Sequence, residues 1–336
     1  MIGLKNIVPA CLVFLILTSC NPNSSTDSTT VGNWITRSAF EGVARSEAVA
    51  FTIGDYSYMG TGYDGKERLT DFWQYDPVQN FWLQKADVPG LARSSAVGMS
   101  INDKGYIGTG YDNDGGKLKD FWQYDPSLNT WKAVADFAGS ARYDAVAFSI
   151  KDKGYVSTGY DGNYLKDFWQ YDPASNAWTQ LPSFGGNKRR EAVAFVVNDK
   201  GYVCTGVNNG TAINDIWEYD PQVAAWTEKR KLTNVSDSSF DDTYTSIVRS
   251  NAVSFVINGK AYISTGENGS STSSCWEYDP ALDLWVLKTS FERSGRSGAI
   301  GFAAKERGYV STGRGGSDPF DDLEEFIPNQ EYQAND

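Results

Sequence analysis

Histidine is absent from all 336 residues. Without it, Ser-His-Asp and Cys-His catalysis are excluded, and zinc, copper and haem sites lose their commonest ligand. Cysteine is scarce: Cys11 falls in an N-terminal leader and Cys20 directly follows it, which leaves Cys204 and Cys275. Two cysteines do not make a disulfide scaffold, so they read either as buried thiols or as one bridge between neighbouring units. Positive charge is short, with 30 Lys and Arg against 42 Asp and Glu, which argues against nucleic acid as a partner. Long apolar runs are missing except for Ile7 to Leu17, which is too short to span a bilayer as a permanent helix.

That run follows Lys5 and ends in Leu17-Thr18-Ser19-Cys20, so residues 1–19 read as a signal peptide. Leu-Thr-Ser-Cys resembles a bacterial lipobox, which implies lipidation of Cys20 and places the chain in the bacterial cell envelope, at the outer membrane. The only membrane contact then expected is the lipid anchor. Residues 20–31 are polar and Ser/Thr-rich, as a flexible tether would be. Loss of the leader removes only Lys5 among charged side chains, leaving 29 basic against 42 acidic residues.

The rest of the chain is repetitive. Arginines at Arg45, Arg93, Arg142, Arg189, Arg249 and Arg296 advance in the same irregular steps as Thr-Gly pairs beginning at Thr61, Thr109, Thr158, Thr205, Thr265 and Thr312. Between these landmarks each unit carries short β-branched or aromatic runs closed by Gly-rich or Asp-Pro turns. Such units are four-stranded blades rather than helix pairs. Gly-Tyr-x-x-Thr-Gly, and a tryptophan nine residues after the Trp of Asp-Phe-Trp-Gln-Tyr-Asp-Pro (Trp73 to Trp82, Trp276 to Trp285), resemble the kelch repeat. The resemblance implies an all-β, six-bladed propeller over residues 32–328, with a tail from 329 to 336. It says little of function, because kelch propellers include enzymes, adaptors and carbohydrate binders.

The sixth unit lacks a closing tryptophan. Trp34 precedes Arg45 by the same eleven residues that separate each ordinary closing Trp from the next Arg. Gly32 to Thr36 is therefore expected to pair with Leu323 to Ile327 and close the ring, which would remove its free edge. The recurring Trp73, Trp122, Trp169, Trp217 and Trp276 are expected to pack between blades.

With the four strands of each blade lettered a to d from the inside out, function is expected on the face bearing the b–c loops and d–a connections. The six arginines form a candidate ring there, followed two positions later by Glu47, Ser95, Asp144, Glu191, Asn251 and Gly298. Either the arginines pair with these acids and with backbone carbonyls, or their unpaired forks grip an anion such as a carboxylate. The b–c loops carry Tyr63-Asp64, Tyr111-Asp112 and Tyr160-Asp161, which read either as turns or as sugar-contacting pairs. Twelve extra residues before Arg249, within Lys231 to Ile247, read as a functional lid or as a tolerated surface insertion.

No cofactor and no metal is expected. Asp112 to Gly115 faintly resembles a calcium loop but lacks the remaining ligand positions. The expected role is a non-catalytic binding module for a glycan or an envelope protein. The alternative is an enzyme needing only proton transfer, similar to the periplasmic sialic acid epimerases, with Glu47, Asp144 or Glu191 as acid or base. Galactose oxidase shares the kelch architecture, but its copper site needs histidine, so a copper oxidase of that kind is excluded.

Overall fold

The computed structural model describes residues 1, 3, 31–233, 241–242 and 244–334. Cys20 and the tether residues 21–30 lie outside them, so the lipid-anchor expectation concerns sequence alone.

The described chain is all-β, with six four-stranded antiparallel sheets arranged as the blades of a propeller. Blade three shows the pattern: Val146–Ile150 innermost, then Lys153–Ser157, Phe168–Asp172 and, outermost, Ala177–Leu181. Its inner strand alternates buried and half-buried positions, because successive side chains point to opposite sides of the pleat. Six apolar clusters join neighbouring blades, so each blade packs both faces; Phe148, Tyr155 and Phe168 of blade three, for instance, lie against Val203 and Tyr219 of blade four.

The strand-c aromatics split as this stacking requires: Phe168 and Tyr171 are buried, while Trp169 is half-buried at the edge of the neighbouring cluster. The Thr-Gly pair ends the second strand of each blade in left-handed backbone. Gly159 has φ +94°, and a Cβ there would meet the Tyr143 carbonyl oxygen at 2.9 Å, so only glycine fits.

The ring closes as the tryptophan spacing required. Val31–Thr36 is the outer strand of blade six and pairs with Leu323–Glu331, with Trp34 opposite Phe326 and Ile35 opposite Glu325. The strand Leu323–Glu331 runs three residues past the expected propeller edge at 328. Trp34 is fully buried and its Nε1 donates to the Thr289 carbonyl at 3.0 Å.

Cys204 and Cys275 are free and buried, and no bridge joins their blades. Burial in apolar surroundings raises both thiol pKa values.

Candidate functional site

The six repeat arginines are not at the channel mouth. All six are fully buried between strands, and their partners are not the acids two positions later. Arg45, Arg93, Arg142, Arg189 and Arg296 pair instead with Asp71, Asp120, Asp167, Asp215 and Asp322, the first residue of the strand-c motif. In the first three blades the same Asp also accepts from the Trp two residues on, as Asp120 does from Trp122 at 2.7 Å.

Each guanidinium also donates to its blade's Thr carbonyl, as Arg142 Nη1 does to Thr158 at 2.9 Å. Four of them lie over a phenylalanine five residues earlier, for example Arg45 over Phe40 at 4.9 Å. Blade five is the exception, because Ser274 stands where the others have Asp and takes Arg249 Nη2 at 2.6 Å. With no carboxylate beside it, burial lowers the Arg249 pKa to about 10. These forks are committed to holding the blades and have no donor turned toward a ligand.

The residues two positions later do reach the channel. Glu47, Ser95, Asp144, Glu191, Asn251 and Gly298 all have positive φ, between 51° and 62°. This left-handed turn directs each backbone N–H at the carbonyl of the preceding blade's equivalent residue. The result is a closed ring of six hydrogen bonds: Ser95 to Glu47 (2.9 Å), Asp144 to Ser95 (3.0 Å), Glu191 to Asp144, Asn251 to Glu191 and Gly298 to Asn251 (each 3.1 Å), and Glu47 to Gly298 (2.7 Å). The same turn places Glu47, Asp144 and Glu191 at the top of an alanine-lined shaft.

Above this ring opens a cup of about 500 Å³. Its wall contains Glu47, Asp144, Glu191 and Glu267, three arginines (Arg68, Arg190, Arg314), and Tyr111, Tyr143 and Tyr164. Arg190 Nε lies 3.1 Å from Glu191, its Nη1 lies 3.8 Å from Asp144, and it donates to the Tyr143 hydroxyl at 3.2 Å. It also faces the rings of Tyr143, Tyr160 and Tyr164 at 5.4 to 5.9 Å. Arg68 lies over Tyr111 at 4.6 Å and Tyr63 at 5.3 Å. Arg314 reaches Glu47 only at 3.7 Å. Ser95 Oγ donates to Glu47 at 2.9 Å.

The carboxyls are held unevenly. Burial, with Glu191 and Glu47 nearby, pushes the Asp144 pKa to about 8, against the pull of Ser95 and Arg190. Burial also raises that of Glu191, with Arg190 opposing. Burial thus favours the protonated form of Asp144, beside a guanidinium that stays charged.

Tyr63, Tyr111 and Tyr160 gather here, Tyr111 on the wall and the other two behind arginines. The acids next to them do not. Asp64 accepts the Lys66 and Glu67 N–H groups, Asp112 those of Asp114 and Gly116, and Asp161 that of Asn163, so all three build turns. None of the described residues of the insertion lines the wall either; residues 234–240 and 243 lie outside the described ones. Its described residues Leu232, Tyr244 and Ile247 are buried in the core joining blades four and five, and the Tyr244 hydroxyl accepts the Trp285 N–H at 2.7 Å.

Arg68, Arg190, Tyr143 and Tyr164 were not singled out by the sequence reading. A signal existed for two of them: the residue after each repeat arginine is Ser46, Ser94, Ser250 or Ser297 in four blades, but Tyr143 and Arg190 in the others. Among the described residues, no group of three or more His, Cys, Asp or Glu is placed to hold a metal.

Residues 84–240 match the family model of the KLHDC2/KLHL20/DRC7 Kelch-repeats domain. A solved structure titled "Structure of YjhT" aligns over 84% of this chain and 95% of its own, with a TM-score of 0.69 and 17% identity, a likeness of fold. No curated protein matches the sequence.

Proposed function

We propose that this chain, a six-bladed kelch-repeat propeller, is a binding module of the bacterial cell envelope, anchored through Cys20, that takes a glycan in the cup. One observation carries the reading: a concave site of about 500 Å³ in which Tyr111, Tyr143 and Tyr164 alternate with carboxylates and guanidiniums. Tyrosine faces suit the C–H surfaces of a sugar, and the charged groups suit its hydroxyls. The volume falls in the roughly 300–1,000 Å³ range of small-molecule sites, whereas a protein partner needs about 800 Å² of complementary surface on each side. A glycan is therefore favoured over an envelope protein.

The test is a glycan array followed by calorimetry with the detergent-solubilised chain. Tyr143→Ala and Glu191→Gln should each weaken any hit by tenfold or more. A hit whose affinity both variants leave unchanged would sink the reading.

The placement of Asp144 beside Glu191 and Arg190, with burial raising its pKa, favours a second reading, anomer interconversion of a sugar similar to that of the sialic acid epimerases. Opening the ring breaks the bond between the anomeric carbon and the ring oxygen. That step takes a proton off the anomeric hydroxyl and delivers one to the ring oxygen, and reclosure on the other face reverses both. Asp144 would donate the proton and a neighbouring carboxylate would accept one. NMR exchange between N-acetylneuraminate anomers that runs no faster with protein than without would eliminate this reading.

A further inference from the structure

The rim of the cup is built from one rung per blade. In each rung the residue after the repeat arginine pairs through its backbone with the residue after the Thr-Gly pair: Ser46 with Tyr63, Ser94 with Tyr111, Tyr143 with Tyr160, Arg190 with Val207, Ser250 with Glu267 and Ser297 with Arg314. Paired residues set their side chains next to one another, so the residue types on a rung decide what the rim presents at that blade. The aromatic rungs are contiguous. Blades one, two and three carry Tyr63, Tyr111 and the pair Tyr143 with Tyr160, and the rungs of blades four to six carry no aromatic ring.

Contacts between neighbours link these rings into one arc. Arg68 lies over Tyr63 and Tyr111, the Tyr111 ring is 5.0 Å from Tyr143, Tyr143 is 5.7 Å from Tyr160, and Tyr160 is 5.2 Å from Tyr164 of the same b–c loop. Arg190, from blade four, faces the last three. All five tyrosines are half-buried, so each keeps part of its surface open to solvent. Two hydrogen bonds between blades brace the arc: the Arg68 backbone N–H donates to Asn113 Oδ1 at 2.8 Å, and Arg190 Nη1 donates to the Tyr143 hydroxyl. The Arg68 side chain gives only its Nε to the protein, at 3.2 Å from Ser94 Oγ, and among the described residues its outer nitrogens have no acceptor. Across the cup the wall is made of short side chains, Val207, Gly210, Ser250 and Asn251 among them.

We infer that the cup takes an oligosaccharide of several units, laid along this arc from blade one to blade four, and not a single terminal sugar; this rests on the glycan reading above. A lone pyranose would meet one or two rings of a row that continues past it. It would also fill well under half of a cup of about 500 Å³, a size that ordinarily takes a drug-sized molecule. Successive sugars find the pattern repeated, with tyrosine surface for their C–H faces and guanidinium N–H groups between for their hydroxyls. Because the braces fix the arc before the ligand arrives, each added unit gains contact at little cost in ordering the protein.

The test is calorimetry of the detergent-solubilised full chain with cello-, chito-, malto-, manno- and N-acetylneuraminate oligosaccharides, each series running from monosaccharide to pentasaccharide. In the series that binds, affinity should rise about tenfold or more from monosaccharide to trisaccharide. Arg68→Ala and Tyr164→Ala, at the two ends of the arc, should each lower tetrasaccharide affinity by about tenfold and flatten the dependence on length, in chains whose unfolding midpoint shows them folded. A monosaccharide bound as tightly as the longer chains, with Tyr143→Ala weakening all of them alike, would overturn the oligosaccharide inference and leave the glycan reading standing. No binding at any length would remove the glycan reading, and this inference with it.

Discussion

Arg142 and Asp167 meet fork to fork, Nη1 to Oδ1 at 2.5 Å and Nη2 to Oδ2 at 2.7 Å, with the guanidinium wholly shielded from solvent. Removing one partner of such a pair leaves a buried charge unmatched, which costs about 3–5 kcal/mol. Asp167→Ala should lower stability by that amount in urea unfolding. Glycan affinity, measured well below the midpoint, should be unchanged, because this pair fastens the blade and does not touch the cup. A large loss of affinity in a fully folded Asp167→Ala chain would return the arginines to the binding site.

Blade five offers the converse experiment. Arg249 has only hydroxyl and carbonyl acceptors where five other blades supply a carboxylate. Ser274→Asp should restore the pair and raise stability by about 1 kcal/mol, in the way repeat-consensus substitutions do. An unfolding midpoint shifted downward would show that the pocket has no room for the longer side chain.

Closure rests on Trp34, whose ring lies 4.7 Å from Phe326 and 5.1 Å from Phe291. Trp34→Ala removes a fully buried aromatic and a hydrogen bond, at a cost of about 3–5 kcal/mol. The loss should fall first on blade six, read as faster amide exchange in Leu323–Glu331 than in Phe168–Asp172. Uniform exchange across all blades would mean that the closing strand is not a weak seam.

Asp144 gives the chain a pH dependence of definite sign. Its folded pKa, about 8, lies above the ordinary carboxylate value, so between roughly pH 4 and pH 8 the folded state binds more protons than the unfolded one. This group therefore withdraws stability as pH rises through that window; below it the group makes no difference, and above it the full loss persists. Asp144→Asn mimics the protonated form. It should flatten the wild-type fall in urea midpoint between pH 5 and pH 8 and be the more stable chain at pH 8. A wild-type slope preserved in the variant would place the titration elsewhere.

Blade count, strand order and the closing strand were legible because each depends on landmarks that recur from unit to unit in one shared series of steps. The arginine pairing was not. Its partner lies 25 to 27 residues away across two strands, and no local pattern announces that Arg45 reaches Asp71 while the nearer Glu47 turns into the channel. What separates them is the left-handed backbone at Glu47, Ser95, Asp144, Glu191 and Asn251, a conformation sequence does not advertise in non-glycine residues. The cup itself lay in departures from the repeat: Tyr143 and Arg190 replace serine, whereas attention to what recurred led to turn-building acids such as Asp112.

The most direct measurement is a crystal structure of the chain with the glycan that binds best. The sugar should lie in the cup between Tyr111, Tyr143 and Tyr164, with hydroxyls within hydrogen-bond reach of Glu191 and Arg190. Density for the sugar on the outer rim or at the opposite mouth of the shaft, with the cup holding only water, would contradict the account.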